Sequence, residues 1–164
     1  MPLSVGDIAP DFELTDQHGQ AVRLSSLRGQ KAALVVFYPW AFTGVCGGEL
    51  RAMQADLADL ATGDVELLSV STDSMYALRA FADQEGFTFP MLSDFWPHGA
   101  VAATYGVLHP DIGVALRGTF LIDRDGVVRW SVVNGIGDAR DTGDYKRAIT
   151  ALSSAVGAPG RPLP

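Results

Sequence analysis

Ala32-Ala33-Leu34-Val35-Val36-Phe37-Tyr38-Pro39, running on into Trp40-Ala41-Phe42-Thr43-Gly44-Val45-Cys46-Gly47-Gly48-Glu49-Leu50, is the stretch whose reading settles the architecture. Its first seven residues are apolar without a break. A strand with one wet face alternates polar and apolar residues, so an unbroken run rich in Val, Phe and Tyr predicts a strand covered on both sides. Pro39, with no N–H to give a ladder, ends it. After the paired glycines the period changes. Leu50, Met53, Leu57 and Leu60 recur at helical spacing with Arg51, Asp56 and Asp59 between them, and Gly63 is the expected stop. A buried strand thus turns sharply into a helix, and Cys46 stands at the corner.

The rest of the chain extends this pattern. Val65 to Val70 reads as a second buried strand, and Asp73 or Ser74 can cap a helix that runs to Glu85 and stops at Gly86. Phe87 to Pro97 reads as an aromatic, proline-containing connection, and Ala100 to Tyr105 as a short helix. Thr119–Ile122 and Val127–Val133 form a hairpin across Asp125-Gly126, a favoured turn pair. An amphipathic helix covers roughly Asp144 to Val156. Upstream, Phe12–Leu14 and Ala21–Leu24 flank His18-Gly19 as an added N-terminal hairpin. The expected fold is α/β, a central mixed sheet flanked by helices, in one domain over residues 1–156. Residues 157–164 hold three Pro and two Gly and read as a flexible C-terminal tail.

Composition narrows the function. At 164 residues, 48% hydrophobic and 19% charged, the chain suits a single ordinary domain with a real core, not a disordered segment. The net charge is -7 and no Lys/Arg cluster occurs, so nucleic acid and anionic membrane surfaces are poor partners. The longest uncharged apolar run, residues 32–42, is broken by Pro39 and falls short of the ~18 residues a spanning helix needs. Met1 to Leu14 lacks the basic and apolar regions of a signal peptide, so the expected location is cytoplasmic. One cysteine excludes an internal disulfide and a multi-cysteine metal cage. His18, His98 and His109 are scattered, and neither a metal site nor a cofactor is expected. Gly135-Ile136-Gly137 lacks the third glycine of a dinucleotide fingerprint, Arg140 standing there, and reads as a flexible loop.

A lone cysteine is ordinarily a small buried hydrophobe. At the carboxyl end of a central strand and the start of a helix it has another use. Open α/β sheets place chemistry there, and the unpaired N–H groups and dipole of a helix N-terminus favour thiolate over thiol. Pro39, Thr43 and Cys46 stand as Pro-x-x-x-Thr-x-x-Cys, with Glu49 three residues on. This motif resembles the active-site signature of the peroxiredoxin family. Arg117-Gly118-Thr119-Phe120-Leu121-Ile122-Asp123 resembles the strand that carries the family's active-site arginine, and Gly6 to Phe12 is similar to its usual opening. Phe42 to Cys46 and Leu92 to Ala100 look most like the one-cysteine alkyl hydroperoxidase E subgroup.

The resemblance, spanning about residues 4 to 155, implies a thioredoxin-like fold and a thiol-dependent peroxidase. Cys46 would attack a hydroperoxide and become a sulfenic acid. Thr43, Arg117 and the backbone N–H groups of Val45 and Cys46 would be donors to the departing oxygen, Pro39 would shield the thiolate, and Glu49 would hold the arginine or threonine. Acidity alone explains little. Lowering a thiol pKa from ~8.5 to ~6 gains roughly thirtyfold in thiolate at neutral pH. The weaker nucleophile returns roughly tenfold of that. The acceleration must therefore come from groups that bind the transition state.

With no second cysteine, an external thiol must reduce the sulfenic acid. The reductant is expected to be mycothiol with a mycoredoxin, if the genome is actinobacterial, or glutathione with a glutaredoxin. Ten Arg against two Lys and a single Asn suggest a GC-rich genome. Gly47-Gly48 weakens the first helical turn and would let a bulky thiol in. The resemblance also implies a homodimer or larger homo-oligomer. Trp40, Phe42, Phe95 and Trp96 are expected in the core or an interface, with an apolar rim favouring organic hydroperoxides. Rival functions are a disulfide oxidoreductase, which needs a cysteine where Glu49 stands, a glutathione-peroxidase-like enzyme, and a peroxide-sensing switch or oligomeric holdase built on Cys46 oxidation.

Overall fold

The computed structural model describes residues 1–156, without the side chains of 155 and 156. The central run forms β3 (Ala32–Phe37), buried at every position as its unbroken apolarity requires. Leu34, Val36 and Tyr38 face one core with Leu50, Met53, Phe81 and Ile149, while Ala33, Val35 and Phe37 face a second with Phe12, Tyr105 and Phe120. Pleating sends successive side chains to opposite sides, so one strand nucleates both cores.

Seven strands lie in the order β2-β1-β5-β4-β3-β6-β7. β4 (Val65–Ser71) pairs parallel with β3, Phe37 opposite Val70, and β6 (Arg117–Ile122) pairs antiparallel with its other edge. β6 turns through Asp125-Gly126 into β7 (Val128–Asn134), with a register irregularity at Leu121/Ile122. The front hairpin is β1 (Glu13–Thr15) with β2 (Ala21–Arg23), its turn closed by Asp16 Oδ1 accepting the amides of His18 (2.8 Å) and Gln20 (3.0 Å). The sheet is mixed and helices flank it, as expected. The tail expected over 157–164 lies outside the described residues.

Three local expectations change. The connection Phe87–Pro97 contains a strand, β5 (Met91–Ser93), parallel to β4 and bridged to β1 at Thr15. Three residues carry no period that could announce it. Instead, Gln17 secures it from the hairpin turn, donating to Phe89 O (3.0 Å) and accepting from Met91 N (2.8 Å). The helix read from Leu50 to Leu60 is two helices, α1 (Gly44–Ala55) and α2 (Leu57–Leu60), so the chain leaves helical geometry before Gly63. At the break Asp56 accepts from Thr142 Oγ1 (2.7 Å) and Lys146 Nζ (3.0 Å), and so ties down α5 (Thr142–Val156).

Elsewhere local signals act as read. Ser74 caps α3 (Met75–Glu85), its Oγ accepting from Ala77 N, and Gly86 ends that helix in the left-handed region at φ 76°. α4 (Ala100–Thr104) is the short helix after the aromatic connection. No helix among the described residues is long and apolar enough to cross a membrane.

Candidate active site

Cys46 lies in the first turn of α1, immediately past the carboxyl end of β3, and is 0% exposed. The amides of Gly44, Val45 and Cys46 open the helix and have no intrahelical carbonyl to meet, whereas Gly47 N already bonds Thr43 O at 2.8 Å. Cys46 thus belongs to the turn that carries the helix's free N–H groups and the positive end of its dipole. Among the described residues no hydrogen bond reaches the sulfur itself.

The loop from β3 to α1 is held from two sides. Pro39 and Ala41 are buried, and Asp73 Oδ2 accepts Ala41 N at 2.9 Å and the Ser71 hydroxyl at 2.7 Å. Asp73 therefore positions the active-site loop instead of capping α3. Phe42 has φ 64°, a strained value for a residue with a Cβ. Its ring packs on Phe81 at 4.9 Å between centroids, which keeps it there. Thr43, the residue before the helix, donates its hydroxyl to Trp40 O (2.9 Å) and leaves its oxygen's lone pairs open. Trp40, Phe42, Phe95 and Trp96 are all exposed, not core, and the Val45 side chain is exposed too.

One helical turn past Cys46, Glu49 is buried and receives four hydrogen bonds. Arg117 Nη1 donates to Oε1 (2.5 Å) and Arg140 Nη2 to the same oxygen (2.9 Å). Arg140 also gives its amide (2.6 Å) and Nε (2.9 Å) to Oε2. Such saturation lets a carboxylate live in a dry site. Burial would raise the Glu49 pKa, but the bonds and charge of Arg140, with Arg117 adding, bring it below the ordinary carboxylate value. One anion between two cations leaves the cluster with net charge +1.

Arg117 opens β6 with its side chain 2% exposed. Its Nε donates to Ile136 O at 2.7 Å, so the Gly135-Ile136-Gly137 loop is a bracket for the guanidinium. Nε and Nη1 are occupied. Nη2 donates to no described residue, which leaves one edge of the arginine open.

Arg140 is the member of this cluster that sequence reading missed. Beyond Glu49 it donates to Gly118 O and Thr119 Oγ1, both at 3.0 Å, and Thr119 meets the Tyr145 hydroxyl at 3.0 Å. It sits in an irregular loop between β7 and α5, where no period or motif marks it. The histidines stay out of this network: His98 Nε2 contacts Gly113 O at 2.5 Å, and His109 Nδ1 accepts Asp111 N.

Comparison with known proteins places the chain. A sequence model of the AhpC/TSA family matches residues 5–131. Alkyl hydroperoxide reductase E of Mycobacterium tuberculosis is 45% identical over 152 residues, covering 93% of this chain and 99% of that protein. Among solved structures, Enterococcus faecalis AhpC superposes with a TM-score of 0.85 at 30% identity, covering 100% of both chains. Reduced Plasmodium vivax 2-Cys peroxiredoxin gives the same score and identity over 99% of this chain and 90% of its own. The fold is thus the thioredoxin-like fold of these enzymes, and the chain belongs to the AhpC/TSA family of peroxiredoxins, the thiol-dependent peroxidases.

Proposed function

We propose that Cys46 is the thiol that reduces the peroxide, with Arg117, Thr43 and the amides of Val45 and Cys46 arranged around the peroxide and not around the sulfur. One observation carries this reading. Glu49 and Ile136 fix Arg117 through Nε and Nη1 and leave Nη2 open, in the cluster that begins one turn from Cys46. A preorganised donor with one free edge is what a developing oxyanion needs.

The thiolate attacks the terminal oxygen as the O–O bond breaks. Sulfur becomes the sulfenic acid, and the alkoxide leaves against Arg117 Nη2 and the helix amides. Thr43, its own hydrogen held by Trp40 O, accepts from the attacked hydroxyl. Pro39, buried beside the loop, keeps bulk water away. An external thiol condenses with the sulfenic acid, releasing water, and a second thiol frees Cys46, because the chain has one cysteine. Mycothiol with a mycoredoxin, or glutathione with a glutaredoxin, fills that role. The exposed Trp40, Phe42 and Val45 beside the site support organic hydroperoxides as substrates alongside hydrogen peroxide. The enzyme works in the cytoplasm as a homodimer or larger homo-oligomer. Sensing is not favoured, since a switch needs no bracketed arginine.

Stopped-flow oxidation with hydrogen peroxide and an organic hydroperoxide tests these roles. Arg117→Ala should lower the second-order rate constant by about 10²–10³, and Cys46→Ser should abolish the one-oxygen mass adduct. Wild-type oxidation no faster than that of a free thiol would sink the proposal.

A further inference from the structure

Thr43 holds the N-cap position of α1, with φ -102° and ψ 154°, yet its side chain caps nothing. A threonine there ordinarily accepts the amide of the second or third helical residue, here Val45 or Cys46. Instead its hydroxyl gives its hydrogen to Trp40 O at 2.9 Å. A forgone cap weakens a helix, so the position of this hydroxyl calls for a cause.

The cause lies on the other side of one peptide. The Trp40 carbonyl shares its peptide unit with the Ala41 N–H, and that N–H donates to Asp73 Oδ2 at 2.9 Å. A trans peptide is planar, and its N–H and C=O point in opposite directions. Holding the N–H therefore aims the carbonyl. Asp73 is braced in turn. Its Oδ2 also accepts the Ser71 hydroxyl at 2.7 Å, from the end of β4, and its own carbonyl accepts the Ser93 hydroxyl at 2.6 Å, from β5. A line of bonds thus runs from the sheet through Asp73 and the Trp40–Ala41 peptide to Thr43.

We propose that Asp73 is a positioning residue for peroxide reduction. Through the Trp40–Ala41 peptide it keeps the Thr43 hydrogen on Trp40 O. The Thr43 oxygen then stays an acceptor for the peroxide, and the amides of Val45 and Cys46 stay uncapped. Asp73 acts through Thr43 and forms no bond to the peroxide. Without it the peptide turns, the hydroxyl is released, and the threonine falls back to cap α1, taking an amide that the leaving oxygen needs. The proposal rests on Thr43 and those two amides serving the peroxide.

Stopped-flow oxidation of the full chain by hydrogen peroxide is measured for wild type, Asp73→Ala, Asp73→Asn, Thr43→Val and the double variant Asp73→Ala/Thr43→Val. Asp73→Ala should lower the rate constant about tenfold, the effect of losing one hydrogen bond to a charged group. Asp73→Asn, whose amide oxygen can accept both bonds, should stay within about threefold of wild type. Coupling separates this role from a structural one. In the Thr43→Val background, Asp73→Ala should change the rate by less than about twofold. Alkylation of Cys46 by iodoacetamide, which needs the thiolate but not Thr43, should fall less than about twofold in Asp73→Ala. An Asp73→Ala rate equal to wild type, an Asn variant as slow as the Ala variant, the same fall in both Thr43 backgrounds, or equal losses of oxidation and alkylation each overturns the proposal. If Thr43→Val itself is oxidised at the wild-type rate, the role given to Thr43 fails instead, a result that looks different from all of these.

Discussion

Glu49 shows how much one side chain organises here. Its two oxygens take all four donors that Arg117 and Arg140 direct at them, so neither guanidinium is free to turn. Because its folded-state pKa is depressed, it stabilises the native protein at pH values above the ordinary carboxylate pKa. That contribution is lost as pH falls through the depressed folded value. Glu49→Gln should lower unfolding free energy at pH 7 by about 3–5 kcal/mol, since two cations stay buried without their anion. In urea titrations the gap to wild type should narrow steadily on acidification; a gap independent of pH would contradict this account. Motif spacing singles out Pro39, Thr43, Cys46 and Glu49 in the sequence, and the resemblance of its strand singles out Arg117. Arg140, Asp73 and the Ile136 carbonyl were not legible, because a hydrogen-bond partner on a distant loop leaves no local trace.

At the scale of the element, α1 combines a sealed nucleophile with a weak first turn. Gly47 and Gly48 both have ordinary helical backbone. A Cβ on Gly48 would meet nothing within 4 Å, while one on Gly47 would meet Arg51 Nη1 at 3.2 Å. Space does not demand glycine at 48, and each glycine weakens a helix by about 1 kcal/mol relative to Ala. Cys46 is 0% exposed, and we propose that a bulky thiol reaches its sulfenic acid when this turn opens. Gly48→Ala should slow reduction by a glutathione-sized thiol about fivefold, the kinetic equivalent of that propensity difference, and change peroxide oxidation less. Single-turnover measurements of the two half-reactions decide it, and equal slowing of both would count against gating. The helix itself was readable from its period and strand β5 was not, since Met91–Ser93 is too short to show alternation and owes its place to Gln17 and β4.

For the molecule as a whole, the sheet separates two cores with different duties. One packs α1, α3 and α5 and includes Cys46; the other packs Phe37, Tyr105 and Phe120 edge-to-face or tilted on the opposite face, with ring centroids 5.3 to 6.0 Å apart. Phe120→Ala should cost about 3–5 kcal/mol in denaturant unfolding. Native-state peroxidation should stay within about twofold of wild type, because that cavity opens away from the site and distant effects add independently. A large loss of rate with little loss of stability would show that the cores are not separable.

The α/β class, the two-faced burial of β3, the cap at Ser74, the stop at Gly86 and the corner that presents Cys46 all follow from the order of residues. Each is driven by interactions within a few positions, such as alternation, capping and backbone freedom. The strand order, the break at Asp56, and the locking of Arg117 by Ile136 and Glu49 exist only once the chain has folded. Their side-chain bonds join groups from 19 to 91 positions apart in a dry interior, and chain order sets no preference at that range.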